Sequence, residues 1–214
     1  QDVKLGKEIG HGSFGTVYVG RDGTSGKLIA VKEILLPALR SGLGEITKKI
    51  FEELALLKSL AHHRIVAYLG ASTTTRFLHI YMEYVSGGCL KSQLEEFGPI
   101  QETVLQSYTR QILEGISYLH SKRVVHCDLK TGNILLDIEG GVKIADFGAS
   151  IKALPKRQAA LSTTAGAAGA TGVTKEEIVH IGTPIIWSPE QLAEGGATFE
   201  SDVWSIGCCV VEML

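Results

Sequence analysis

The chain has 214 residues, 44% of them apolar, which is enough for one large or two small domains with a sizeable core and argues against wholesale disorder. A net charge of −2 gives no pull toward nucleic acid or an anionic membrane surface, and no apolar run reaches the roughly 18 residues of a membrane span. The four cysteines (Cys89, Cys127, Cys208, Cys209) show no CxxC pair and no metal-ligand spacing, which points to a reducing, intracellular, cytoplasmic setting.

The first residues, Gln1-Asp2-Val3-Lys4-Leu5, do not read as a signal peptide. Residues 3–36 alternate apolar and polar with Gly-rich breaks, as a β-meander should. Asp22-Gly23-Thr24-Ser25-Gly26 reads as the hairpin turn between Val17–Val19 and Leu28–Val31. Residues 45–60 carry Ile46, Ile50, Leu54 and Leu57 at helical spacing. Residues 65–69 and 77–84 return to strand-like sequence, and Gly87-Gly88 marks a break. Residues 101–121 place Leu105, Tyr108, Ile112, Ile116 and Leu119 on one helical face. Short apolar runs at 134–136 and 142–145 flank the turn Glu139-Gly140-Gly141. Residues 159–172 are Ala, Gly, Ser and Thr almost throughout, can bury little, and are expected to form a mobile loop. The last residues, Val211–Leu214, stop inside an apolar helical pattern, and the chain lacks an initiating Met, so a piece of a longer protein is expected. Strands, one helix, strands, then mostly helices suggest an α+β chain with a small β-rich lobe and a larger α-rich lobe.

Four motifs carry chemistry. Gly10-His11-Gly12-Ser13-Phe14-Gly15 is a GxGxxG, and dinucleotide-binding folds use the same spelling. In those folds the motif opens a helix, whereas Thr16-Val17-Tyr18-Val19 alternates like a strand. A Gly-rich hairpin over phosphates fits better, and the GK[ST] ending of a P-loop is missing. Ala30-Val31-Lys32 then places a cation where it can grip phosphates, if a carboxylate of the 45–60 helix orients it. Glu52 and Glu53 are both candidates, and Glu45 is the outsider. In Val124–Asn133, Asp128 can accept a hydroxyl proton, Lys130 can meet phosphate charge, and Asn133 can offer an oxygen to a metal. Asp146-Phe147-Gly148 puts a carboxylate at a strand end beside a flexible Gly, which suits Mg²⁺ with substrate phosphates.

With Gly182-Thr183-Pro184 and Ser188-Pro189-Glu190 following in order, the chain resembles a eukaryotic protein kinase from Ile9 to Gly207. The resemblance implies a bilobal kinase fold over 1–214, with N-lobe and hinge at 1–85, an incomplete C-lobe at 86–214 and an activation segment at 146–190. It implies that Ile9, Gly10, His11, Gly12, Ser13, Phe14, Gly15, Thr16 and Val17 cover ATP, with Ala30 and Lys32 beneath, and it prefers Glu53 as the partner of Lys32. Met82 would border adenine, and Glu83-Tyr84-Val85 would be the hinge. Asp128 is implied as catalytic base with Lys130 beside it, and Asn133 and Asp146 as Mg²⁺ ligands. Leu57, Tyr68, His126 and Phe147 would stack as a hydrophobic spine, and Asp202 would anchor the catalytic loop. Lys130 and Gly182–Trp187 argue for Ser/Thr acceptors. Ile65–Gly70 and Trp204–Cys208 are similar to the MAP kinase kinase kinase branch of the STE group, which implies a downstream MAP kinase kinase as protein substrate.

The chain departs from that pattern at Cys127, where many kinases carry an Arg that meets a phosphorylated activation-loop residue. A thiol cannot form that charge-assisted pair, so weaker dependence on activation-loop phosphorylation is expected. His63-Arg64 and Ser188 are smaller departures. The competing reading, a pseudokinase that only binds nucleotide or scaffolds, would call for loss of Lys32, Asp128, Asn133 or Asp146, and all four are present.

Overall fold

The computed structural model describes residues 2–12, 15–36, 44–153, 183–194 and 196–214. In chain order the elements are β1 (Val3–Gly12), β2 (Gly15–Asp22), β3 (Leu28–Leu35), α1 (Gly44–Ser59), β4 (Tyr68–Thr73), β5 (Phe77–Glu83), α2 (Leu90–Phe97) and α3 (Glu102–Ser121). They continue with β6 (Val124–Val125), β7 (Ile134–Leu136), β8 (Val142–Ile144), β9 (Ile151–Lys152), α4 (Pro189–Glu194) and α5 (Phe199–Met213). Two compact units result: Gln1–Gly88 with Leu135–Gly148, and Cys89–Ile134 with Ala149–Leu214.

The first unit is built on an antiparallel sheet of order β1-β2-β3-β5-β4, the expected meander extended by a second hairpin. The turn after β2 closes because Asp22 accepts from the Thr24 amide and the Ser25 hydroxyl, while Gly26 takes φ 72°. The same bonds, the Ser25 hydroxyl foremost, hold the Asp22 carboxyl below its ordinary range. Ile29, Val31 and Tyr81 pack with Val3 on one face of the sheet. The register pairs Val17 with Lys32, Ala30 with Met82 and Lys32 with Ile80, so Val17, Ala30, Lys32 and Met82 share the other face. In α1, Ile50, Leu54 and Leu57 are buried at i, i+4 and i+7.

The strand expected at 65–69 is displaced: β4 begins at Tyr68. Ile65 and Val66 are consecutive and both buried, which a strand with one solvated face does not allow. Their segment instead lies along β8, where Val66 N–H donates to Ile144 O at 3.0 Å and Ile144 N–H donates to Arg64 O at 2.8 Å. Those bonds tie residues 135–148 to the first unit although they follow it by some fifty positions in sequence.

In the second unit, α3 spans nearly the range its periodicity predicts, with Leu105, Ile112, Ile116 and Leu119 buried. Two helix starts have plain local causes. Ser188 precedes α4 and exchanges bonds with Gln191, its amide donating to Oε1 at 3.0 Å, while Pro189 opens the helix. Thr198 and Ser201 form the same reciprocal box ahead of α5. Ser188 therefore supplies a cap. The short pair β6–β9 joins Val124–Val125 to Ile151–Lys152, a contact the sequence pattern does not announce. The low-complexity run 159–172, with Ser162, Thr163, Thr164 and Thr171, lies outside the described residues, and so does Thr174.

Candidate active site

In the first unit, Lys32 Nζ lies 2.7 Å from Glu53 Oε1 and 3.4 Å from Asp146 Oδ1. Lys32 and Glu53 side chains are about 95% buried, whereas Asp146 keeps 35% of its side chain exposed. Burial alone pulls the Lys32 ammonium down, but the charges of Glu53 and then Asp146 outweigh it and hold it above the ordinary lysine value. Of the two α1 carboxylates open from sequence, Glu53 is the one on the buried face with Leu54 and Leu57, while Glu52 is exposed. The side chain of Glu45 lies outside the described residues.

Gly12 and Gly15 pair across the β1–β2 connection, and Thr16 Oγ1 meets His11 Nδ1 at 3.2 Å. Gly15 has a structural reason of its own: a Cβ there would stand 2.1 Å from Glu33 O in the adjacent strand. Ile9 sits at the irregular register between Glu8 and Gly10 and is 40% exposed. Ser13 and Phe14 lie outside the described residues. Met82 and Glu83 end β5, with Val85 buried just beyond.

In the second unit, the loop after β6 holds Asp128 by both carboxylate oxygens. Oδ1 accepts from the Thr183 amide at 2.8 Å and from its hydroxyl at 2.9 Å. Oδ2 accepts from Lys130 Nζ at 2.8 Å and from Asn133 Nδ2 at 3.2 Å. Lys130 Nζ also donates to Thr183 Oγ1 at 2.8 Å, and Asn133 Nδ2 to the Asp128 carbonyl at 2.8 Å. All of the roughly four acceptor positions of the carboxylate are thus used. Thr183, of the Gly182-Thr183-Pro184 motif, is a direct partner of Asp128, 55 residues away.

Asp202, 1% exposed near the start of α5, supports this loop from below: Oδ2 accepts from the His126 amide at 2.9 Å and Oδ1 from the Cys127 amide at 3.0 Å. His120 Nε2 lies 2.8 Å from Asp202 Oδ2 and its ring is 4.7 Å from that of Phe199. Sequence reading missed His120, since it stands at the end of the α3 periodic face with no local signal of its partner. It also missed the bond from Thr131 Oγ1 to Glu212 Oε2 at 2.5 Å, which ties the loop to the other end of α5.

Cys127 is buried at φ 68°, and Asp146 sits at φ 61°. Non-glycine residues held there store of order 1–3 kcal/mol each and concentrate at working sites. The Cys127 thiol donates to Val125 O at 3.4 Å. Burial, then the charge of Asp202, pushes it well above its ordinary value, so it carries no thiolate at neutral pH.

The side chains suit a hard divalent cation in type. Asn133 spends its amide nitrogen on Asp128, which leaves Oδ1 uncommitted among the described residues. Asp146, in the first unit, carries a partly exposed carboxylate, and oxygen donors of either kind are what Mg²⁺ takes.

The antiparallel sheet, the helical second unit and the Lys–Glu, Asp–Asn and DFG constellations define one class. The chain belongs to the protein kinase domain family, whose model matches residues 3–214. It is 42% identical over 214 residues to the mitogen-activated protein kinase kinase kinase ANP1 of Arabidopsis thaliana, covering 99% of this chain and 30% of that protein. It is likewise 42% identical over 213 residues to the human mitogen-activated protein kinase kinase kinase 3, covering 99% of this chain and 32% of that one. The chain therefore spans about a third of the length of these relatives. No helix among the described residues is long and apolar enough to cross a membrane.

Proposed function

We propose that this chain is the catalytic domain of an ATP-dependent protein serine/threonine kinase that works in a MAP kinase cascade, with a MAP kinase kinase as protein substrate. The observation that carries the reading is Asp128, gripped at once by Lys130, Asn133 and Thr183. Such a carboxylate, fixed in position beside a cation, suits the task of orienting a hydroxyl and taking its proton. Because all its acceptor positions are in use, the incoming Ser or Thr hydroxyl has to displace one of the Thr183 contacts. Asp128 then takes the proton as the hydroxyl oxygen bonds to the γ-phosphorus and the bridging oxygen departs with ADP. Lys130 offsets charge on the transferring group. Lys32, oriented by Glu53, holds the α- and β-phosphates.

Residues 9–17 and Ala30 cover the nucleotide in this reading, while Met82, Glu83 and Val85 meet its base. Asn133 and Asp146 are the residues that would hold Mg²⁺, which supplies positive charge to the phosphates when bound. The four cysteines form no disulfide, which supports an intracellular, cytoplasmic setting. Transfer of label from radiolabelled ATP to a MAP kinase kinase by the full-length protein, set against its Asp128→Asn variant, tests the proposal. Equal transfer by both proteins would sink it.

A further inference from the structure

Resting on the kinase reading, the segment Glu83–Gly88 offers its backbone to the adenine ring. The structure fastens that segment at both ends to the β7–β8 stretch. At the near end, Lys143 Nζ lies 3.0 Å from Glu83 Oε1, with 17% and 32% of the two side chains exposed. The Ala67 amide donates to Glu83 Oε2 at 3.2 Å, and the Glu83 amide donates to Ala67 O at 2.9 Å. At the far end, Gly87 N–H donates to Leu136 O at 2.8 Å, and Leu136 N–H donates to Gly88 O at 2.9 Å. A Cβ on Gly87 would stand 2.3 Å from Leu136 O, so glycine is required for this approach. Between the two fastenings Val85 is 8% exposed, yet its amide and carbonyl have no hydrogen bond among the described residues. Main-chain groups left without a hydrogen bond in this way can take a partner that a bound molecule supplies.

We propose that Lys143, acting through Glu83, is a positioning residue for the nucleotide base: it holds the Val85 edge in the geometry that adenine meets. The ion pair is only half buried and leaves β8 itself alone. That strand is held by main-chain bonds, Ile144 N–H to Arg64 O at 2.8 Å and Val66 N–H to Ile144 O at 3.0 Å. Asp146, two residues beyond Ile144, therefore keeps its place when the Lys143 side chain is removed. Binding of the base and transfer of phosphate should separate.

The test is titration of MgADP into the full-length protein, with steady-state phosphotransfer alongside. Lys143→Met should weaken MgADP binding about fivefold and raise the ATP KM equally, with kcat unchanged. Lys143→Arg should restore both constants. Glu83→Gln should show the same loss, and the double variant no more than either single one. Parent-like MgADP affinity in Lys143→Met, additive losses, or a fall in kcat at unchanged affinity would each overturn the proposal. A parent protein that does not bind MgADP would overturn the kinase reading and this inference with it, whereas a binding parent with indifferent variants overturns the inference alone.

Discussion

Two polar clusters of this molecule hold their side chains by different means. Around Lys32 the work is done by charge: one ammonium faces two carboxylates, and Glu53 Oε2 is buried with no hydrogen bond among the described residues. Around Asp128 it is done by hydrogen bonds, with each carboxylate oxygen accepting two. A cluster held by charge can change partners when a polyanion arrives, because the attraction is only weakly directional. A saturated hydrogen-bonded cluster offers fixed geometry and changes partners only by giving up a bond. The first suits a group that must grip phosphates, and the second a group that must aim a hydroxyl.

The largest effect expected from this contrast is in Asp128→Asn. The amide keeps the shape and the Thr183 contacts but turns a donor toward Lys130 and Asn133, so stability should fall by about 2 kcal/mol while phosphotransfer falls about a thousandfold. Radiolabel transfer and thermal denaturation of the full-length variant measure the two. Lys32→Met should cost more stability, about 3 kcal/mol, because Glu53 is left buried without its counter-charge. Adding Glu53→Gln should recover much of that stability and none of the transfer. A Lys32→Met protein that melts like its parent would break the comparison. Asp202→Ala, which strips the His126 and Cys127 amides of their acceptor, should cost about 2 kcal/mol and lower kcat with it.

A smaller effect concerns the thiols. Burial first, then the charge of Glu212, pushes Cys209 up to about 12 from its ordinary 9.0. A raised native pKa favours the protonated form, so its contribution to stability is complete below pH 9.0 and is lost as the pH climbs toward about 12. Iodoacetamide at pH 8.5 should therefore label half-buried Cys89 well before Cys127 and Cys209, and equal rates would contradict this. The smallest effect should come from phosphatase treatment. With Cys127 unable to pair with a phosphate, activity should be essentially unchanged, and silencing of the enzyme would refute that.

Much of the architecture was legible. The meander, α1 and α3 follow from periods of two and 3.6 that depend on neighbours a few residues apart. The strand at 65–69 was misplaced because Ile65 and Val66 answer to β8, not to a hairpin neighbour. Residue chemistry left Glu52 and Glu53 both open and only the family resemblance preferred Glu53; the physical reason, that Glu53 lies on the buried face of α1, is a matter of the fold. Lys143 has no sequence mark at all: its partner Glu83 is sixty positions earlier, and only the return of residues 135–148 to the first unit brings them together.

By itself the sequence determined the order of elements, the family and the spacing of the reactive side chains, because these rest on local periodicity and on motifs a few residues long. Tertiary structure alone decided which polar groups meet. Thr183 on Asp128, His120 on Asp202 and Lys143 on Glu83 are contacts near 3 Å between residues 55, 82 and 60 positions apart. Such contacts depend on where whole strands and helices come to rest once their apolar faces are buried, and no local pattern carries that information.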